Sequence, residues 1–403
     1  MWSVPFSVWR MMIAYALMMS GTALTVLIAG IIGTHFAPNP GLATLPIALA
    51  VIGVAASTLP TGRLQARFGR RAVFLAYGGL AMVSAVLGAA SLTSETFFGY
   101  CLATFMMGWS AAAGHQYRFA VLDLVPARQA PQATSVLLLG GILAAFIGPE
   151  MAVRGRDLTA TQFAGSYLLL TVGYAVALVL VGFYREHSHG EVEDHSDGRP
   201  LGEILRNPVV VLAISAAAVA YGVMSFLMTA TPISMHEHAG HSIEATKWVI
   251  QSHIVGMYLP SLFFAFLYSR LGPRRMLWLG LAAYAATLAI ALGGVAFLHY
   301  WAALVLLGVG WNFLFLTGTN LLALGHRRAE RFRVQSFNDF LTFSVQALVS
   351  LGSGWFLFHL AWQGLLWAGA LPVVAFAVLL ARSHAFGLLA EERRPLETGP
   401  QVP

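Results

Sequence analysis

Charge is scarce in this chain. Its 403 residues include 17 acidic and 23 basic side chains against 58% hydrophobic ones, a balance that excludes an ordinary water-soluble domain and indicates an integral membrane protein. Cysteine is rarer still. The single thiol, Cys101, lies inside an apolar run, so an intramolecular disulfide framework and a cysteine-rich metal site are both excluded. Also missing are a Walker-type phosphate loop, a catalytic triad and a glycine-rich nucleotide site. Their absence argues against ATP-driven transport on this chain and against an enzyme.

What is present is hydrocarbon. Twelve apolar runs of roughly 20 residues, long enough to cross a bilayer as helix, extend from 11–32 to 365–380, the seventh at 209–230 and the eighth at 246–268. The first lacks a small-residue cleavage site and reads as a retained helix rather than a signal peptide. The expected fold is an all-α membrane protein of twelve transmembrane helices in two pseudo-symmetric six-helix bundles. One sizeable polar stretch divides it, giving an N-terminal bundle at 1–184, a linker at 185–207, a C-terminal bundle at 208–383 and a tail at 384–403.

Lys and Arg in short loops stay on the cytoplasmic side. Twenty of the 23 basic residues fall at the N-terminus, in the even-numbered loops and in the tail, and only Arg154, Arg156 and Lys247 lie opposite. Both termini are therefore expected in the cytoplasm. The net charge of +6 is an orientation signal and not a nucleic-acid footprint, so lipid is the expected surroundings. One lysine against 22 arginines suits a GC-rich bacterial genome, which places the chain in a bacterial inner membrane.

The second run ends in GRLQARFGRR, at 62–71, and the corresponding place in the second half reads AFLYSRLGPRR. Arg67 and Gly69 match Arg270 and Gly272 at a constant offset of 203 residues, as an internal duplication requires. This stretch resembles the loop signature of the major facilitator superfamily, with Gly62, Leu64, Arg67, Gly69, Arg70 and Arg71 on pattern and Ala66 where the superfamily usually has Asp. The resemblance implies a gating role for Gly62, Arg67, Gly69 and Arg71. Asp339 is either a replacement carboxylate reaching Arg67 or Arg63 from the other half, or an ordinary acid favoured at a helix N-terminus. GGILAAFIGPEMA in the fifth run is a faint match to an antiporter signature, and a flexible helix explains it as well.

Two short motifs carry chemistry. MSFLM presents Met224 and Met228, and HIVGM presents His253 and Met257, each four apart and so on one helix face, on consecutive helices. Thioethers and imidazole are soft to borderline donors that suit copper and reject Mg, Ca and Mn. Packing is the competing reading for methionine. PISMHEHAGHS adds Met235, His236, His238 and His241 on the outer side, either a copper-capturing mouth or solvated loop side chains. His187, His189 and His195 on the inner side read as part of a solvated linker. His115, Arg118, Asp123 and Glu150 are candidates for coupling, with Arg118–Asp123 pairing as the simpler expectation.

The paired motifs, with TATPISM after them and QYRFA at 116–120, resemble the CcoA-type bacterial copper importers. That resemblance implies copper import for cytochrome oxidase assembly, with copper chaperones or assembly factors as partners and no permanently bound cofactor. Two rivals stand beside it. One is a carrier for riboflavin or a drug-like solute, whose methionines only shape an apolar cavity; the other is a non-transporting membrane copper receptor or chaperone.

Overall fold

The computed structural model describes residues 4–126, 129–184, 199–327 and 330–383, and among them there is helix and no strand. The first half contains α1 (Phe6–Phe36), α2 (Leu45–Phe68), α3 (Arg70–Thr93), α4 (Phe97–His115), α5 (Ala130–Gly155) and α6 (Ala164–Gly182). The second contains α7 (Pro208–Ile233), α8 (Ile243–Tyr258), α9 (Ser261–Leu292), α10 (Phe297–Leu324) and α11 (Arg331–Arg382). Their starts follow capping chemistry. Asn207 accepts from Val209 N–H with Pro208 at the first helical position, and Ser242 accepts from Ala245 N–H.

Two long helices are broken. Backbone at Gly272 in α9 and at Ala361 in α11 leaves the helical region, so each changes direction there. A third interruption, at Pro260, separates α8 from the first part of α9, which together make the eighth crossing. The result is twelve crossings in two six-helix halves. The eighth run, expected as one helix over 246–268, is discontinuous because Pro260 has no N–H to donate.

The duplication read from the sequence is written into backbone and packing. Gly69 (φ 79°, ψ 157°) and Gly272 (φ 74°, ψ 167°) share a conformation that is almost closed to residues with a Cβ. In each half the first helix packs on the fifth and the second on the fourth. Glycine makes the second pairing possible. A Cβ on Gly108 would stand 1.8 Å from the Ala50 carbonyl oxygen, and one on Gly308 would stand 2.5 Å from that of His253. Small residues let backbones approach where lipid supplies no hydrophobic drive.

The halves meet where α2 packs on α11, α5 on α8 and α1 on α7. At the arginine-poor end polar bonds cross this seam. Lys247 Nζ lies 2.6 Å from Glu150 Oε1, His35 stands 3.8 Å from Glu237, and the Thr44 hydroxyl donates to the Leu351 carbonyl at 3.2 Å. At the arginine-rich end Arg70–Asp123 stays inside the first half, and Arg199–Glu330 ties the end of the linker to the second half.

Candidate functional site

Between the halves lies a cavity of ≈ 220 Å³ lined by α1, α2, α4 to α8, α10 and α11. Among the described residues lining it there is no Asp, Glu, Lys or Arg. Whatever it holds therefore meets a neutral wall.

α7 sends Tyr221, Met224, Ser225, Met228 and Thr229 into this space, a recurrence of three and four residues that makes one face. α8 adds His253, Ile254, Met257 and Tyr258. All four residues of the MxxxM and HxxxM motifs thus meet in one cavity. The Ser225 hydroxyl donates to the Met224 sulfur at 3.8 Å. His253 is fully buried and donates from Nδ1 to the Leu304 carbonyl at 2.7 Å, while its Nε2 has no hydrogen-bond partner. The interruption beside Met257 is braced rather than loose. Asn312 Nδ2 donates to the Met257 carbonyl at 2.7 Å and to the Ser261 hydroxyl at 2.6 Å, tying the end of α8 to α10.

The motifs gave no hint of the aromatic wall beside these side chains. Tyr221, Tyr258, Trp311 and Phe343 line the cavity. Tyr221 stands edge-on to Trp311 at 5.3 Å and to Phe343 at 5.9 Å, and Tyr258 lies 6.4 Å from Trp311. Phe315, behind the wall, stacks on Trp311 at 5.0 Å. A signal was available: Phe343, Gln346 and Ser350 fall on one helical face, as do Trp311 and Phe315.

Met235, His236, His238 and His241 lie at the arginine-poor end of α7 and just beyond it. Residues Ser234–His238 continue α7 as a wide turn, and Met235 is fully buried. His236 Nδ1 bonds the His241 carbonyl (2.9 Å), His241 Nε2 bonds the Val295 carbonyl (2.8 Å), and His238 stands edge-on to Phe358. These side chains hold the turn. Residues 234–238, expected as part of a loop, are helical, and 239–242 form the non-helical connection to α8.

Among the coupling candidates, His115 lines the cavity with its ring 6.4 Å from Phe343. Asp123 receives Arg70 and the Tyr184 hydroxyl (3.0 Å); the side chain of Arg118, its expected partner, lies outside the described residues. Glu150 is held by Lys247 and by Arg154 at 2.9 Å, and it faces the seam instead of the cavity. Of the gating set, Gly62 has open space where a Cβ would be, Arg67 lies over the Phe68 ring, and Arg71 donates to the Gly182 carbonyl at 2.7 Å. Asp339 accepts from Asn338 at 3.2 Å. His187, His189 and His195 lie outside the described residues, as does the tail from 384. Among the described residues no three His, Cys, Asp or Glu side chains gather as a metal site.

The family model of the Major Facilitator Superfamily matches residues 11–245. The chain belongs to that superfamily. As a superfamily member it is a transporter and not an enzyme. It is 35% identical over 384 residues to the riboflavin transporter RfnT of Brucella anthropi, covering 94% of this chain and 96% of the relative. It is 28% identical over 343 residues to the uncharacterized MFS-type transporter YddS of Bacillus subtilis, covering 80% and 78%. Two solved superfamily structures share the fold. A D-xylose–proton symporter superposes with a TM-score of 0.71 at 13% identity, over 93% of this chain and 97% of the other. A bacterial homologue of the human lysosomal transporter Spinster, inward-facing and occupied, gives 0.70 at 15% identity over 98% of each. The resemblance to copper importers finds no support in these relatives.

Proposed function

We propose that this transporter imports a neutral, planar organic solute of the riboflavin type across the cytoplasmic membrane of a bacterium. One observation carries the reading: an uncharged cavity walled on one side by Tyr221, Tyr258, Trp311 and Phe343, with hydroxyl and amide groups from Thr22, Thr25, Thr229, Gln346 and Ser350 around it. Aromatic walls hold a flat ring system, and the polar groups suit a polyhydroxylated chain. The 35% identical riboflavin transporter supports it across nearly the whole chain.

The charge rule sets the arginine-rich end and both termini in the cytoplasm. With Lys247–Glu150 and His35–Glu237 joining the halves at the other end, the conformer is closed to the outside. Rocking of one half against the other about the cavity then exchanges access. Gly69 and Gly272 supply the positive-φ backbone of the turns at the arginine-rich end, about which that motion takes place.

Copper remains a second reading because Met224, Met228, Met257 and His253 share the cavity. Uptake of riboflavin and of copper into vesicles carrying the purified protein separates the two. Saturable riboflavin uptake, competed by flavins and indifferent to copper, is expected. Copper uptake abolished by Met224→Ala with His253→Ala, without any flavin uptake, would overturn the proposal.

A further inference from the structure

His253 is a lining side chain whose hydrogen-bonding character the fold dictates. A backbone carbonyl only accepts, so the 2.7 Å bond to Leu304 O places the ring proton on Nδ1. A buried imidazolium facing no carboxylate would be costly, and none lines the cavity. The ring is therefore the neutral tautomer. Its Nε2 is a bare lone pair, fully buried and without a protein partner.

The helix crossing does not require this residue. The same crossing is built in the first half, where Gly108 packs on the carbonyl of Ala50 as Gly308 packs on that of His253. Ala50 and His253 are 203 residues apart, the offset of the repeat, and both line the cavity. Alanine suffices for packing at this position. An imidazole there, held at Nδ1 and left open at Nε2, incurs a desolvation cost that a bound donor would relieve.

Resting on the flavin reading above, we propose that His253 Nε2 is the acceptor for a ring N–H of the substrate and so selects heteroaromatic solutes carrying an imide-type donor at their edge. The position argues for a ring donor over a chain hydroxyl. His253 shares the α8 face with Met257, next to Tyr258, and Tyr258 adjoins Trp311. A planar solute lying on that aromatic wall presents its edge, not its tail, to the imidazole. A buried acceptor left unmatched penalises any analogue that lacks the donor.

The test uses the purified full-length transporter with riboflavin, N3-methylriboflavin, which lacks the imide proton, and lumichrome, which keeps it but lacks the ribityl chain. Methylation is expected to weaken binding by about 10-fold or more in the parent. In His253→Ala the ratio should fall to about 2 or below, and His253→Gln, whose amide oxygen also accepts, should restore part of it. Lumichrome should depend on His253 as riboflavin does. N3-methylriboflavin binding as well as riboflavin in the parent, an unchanged ratio in His253→Ala, or lumichrome indifferent to His253 would each overturn the assignment while leaving the flavin reading intact. Absence of riboflavin binding in the parent would overturn both. The parent arm alone decides if the variants fail to fold.

Discussion

The two halves build the same scaffold and furnish it differently. On α1 the cavity is lined by Tyr15, Met18, Met19, Gly21, Thr22, Ala23, Thr25 and Val26; on α7, Tyr221, Met224, Ser225, Met228 and Thr229 stand at the repeat offset of 203 from Met18, Gly21, Thr22, Thr25 and Val26. Ala50 faces His253 in the same sense. Through the Gly108 and Gly308 crossings, Ala111 corresponds to Trp311. Duplication kept the helix packing, because backbone contact at glycine tolerates no side chain. The cavity wall was free to diverge: each half lines it with three methionines, while four of the six Phe, Trp and Tyr side chains, Tyr221, Tyr258, Trp311 and Phe343, come from the second half. Substrate affinity is accordingly expected to reside in the second half.

The largest effect should come from attacking what the halves share. Gly108→Ala drives a Cβ to 1.8 Å from a backbone oxygen and Gly308→Ala to 2.5 Å, so neither collision can be relieved by a side-chain turn. Both should lower stability by about 3 kcal/mol or abolish folded yield, with Gly108→Ala the worse. Thermal denaturation in detergent reads this out. Equal tolerance of alanine at both sites would break the shared-crossing account.

Next come the braces at the arginine-rich end, which differ between halves. Arg199 holds the buried Glu330 through bonds of 2.7 and 2.9 Å, whereas Asp123, held by Arg70, is 22% exposed. The Arg199 guanidinium, assisted by backbone N–H donors from Arg327 and Arg199, outweighs burial and lowers the Glu330 carboxyl from 4.5 to about 2. A lowered folded-state value stabilises above the unfolded one and is lost as pH falls through the folded one. Glu330→Gln should therefore cost about 3 kcal/mol at neutral pH. The gap from the parent should begin to close below pH 4.5 and vanish near pH 2. A gap independent of pH would show that the carboxylate charge is not the cause.

The smallest effect sharpens the wall comparison. Met228→Ala removes a thioether from the large side, and Thr25→Ala trims the equivalent position on the small side. Substrate affinity should fall about 5- to 10-fold for the first and less than about 2-fold for the second. A reversed order in a binding titration would place the substrate against the first half.

How much of this was legible in the sequence follows from which side chains lipid hides. The twelve crossings and the repeat were readable, because apolar length and the Arg67–Gly69, Arg270–Gly272 match are local signals. Met224, Met228, His253 and Met257 were singled out by spacing, and all four line the cavity. Trp311, Tyr221 and Phe343 were not found. An aromatic residue in an apolar run looks the same whether it faces a cavity or lipid, as exposed Trp355 and Trp367 show. Reading the soft donors without their wall led to copper, and the wall points to a ring. His236, His238 and His241 were read from composition. Polar composition signalled a loop; Ser234–His238 are helical, while His241 lies in the connection that follows and bonds the Val295 carbonyl.

The central claim is that an asymmetric aromatic wall binds a flavin-like solute. Quenching of riboflavin fluorescence by the purified transporter, compared between the parent and Trp311→Ala, tests it most directly. The account predicts saturable quenching in the parent and an affinity about 10- to 100-fold weaker in the variant, the loss of one stacking surface. Quenching that is absent from the parent, or unchanged in Trp311→Ala, would contradict it.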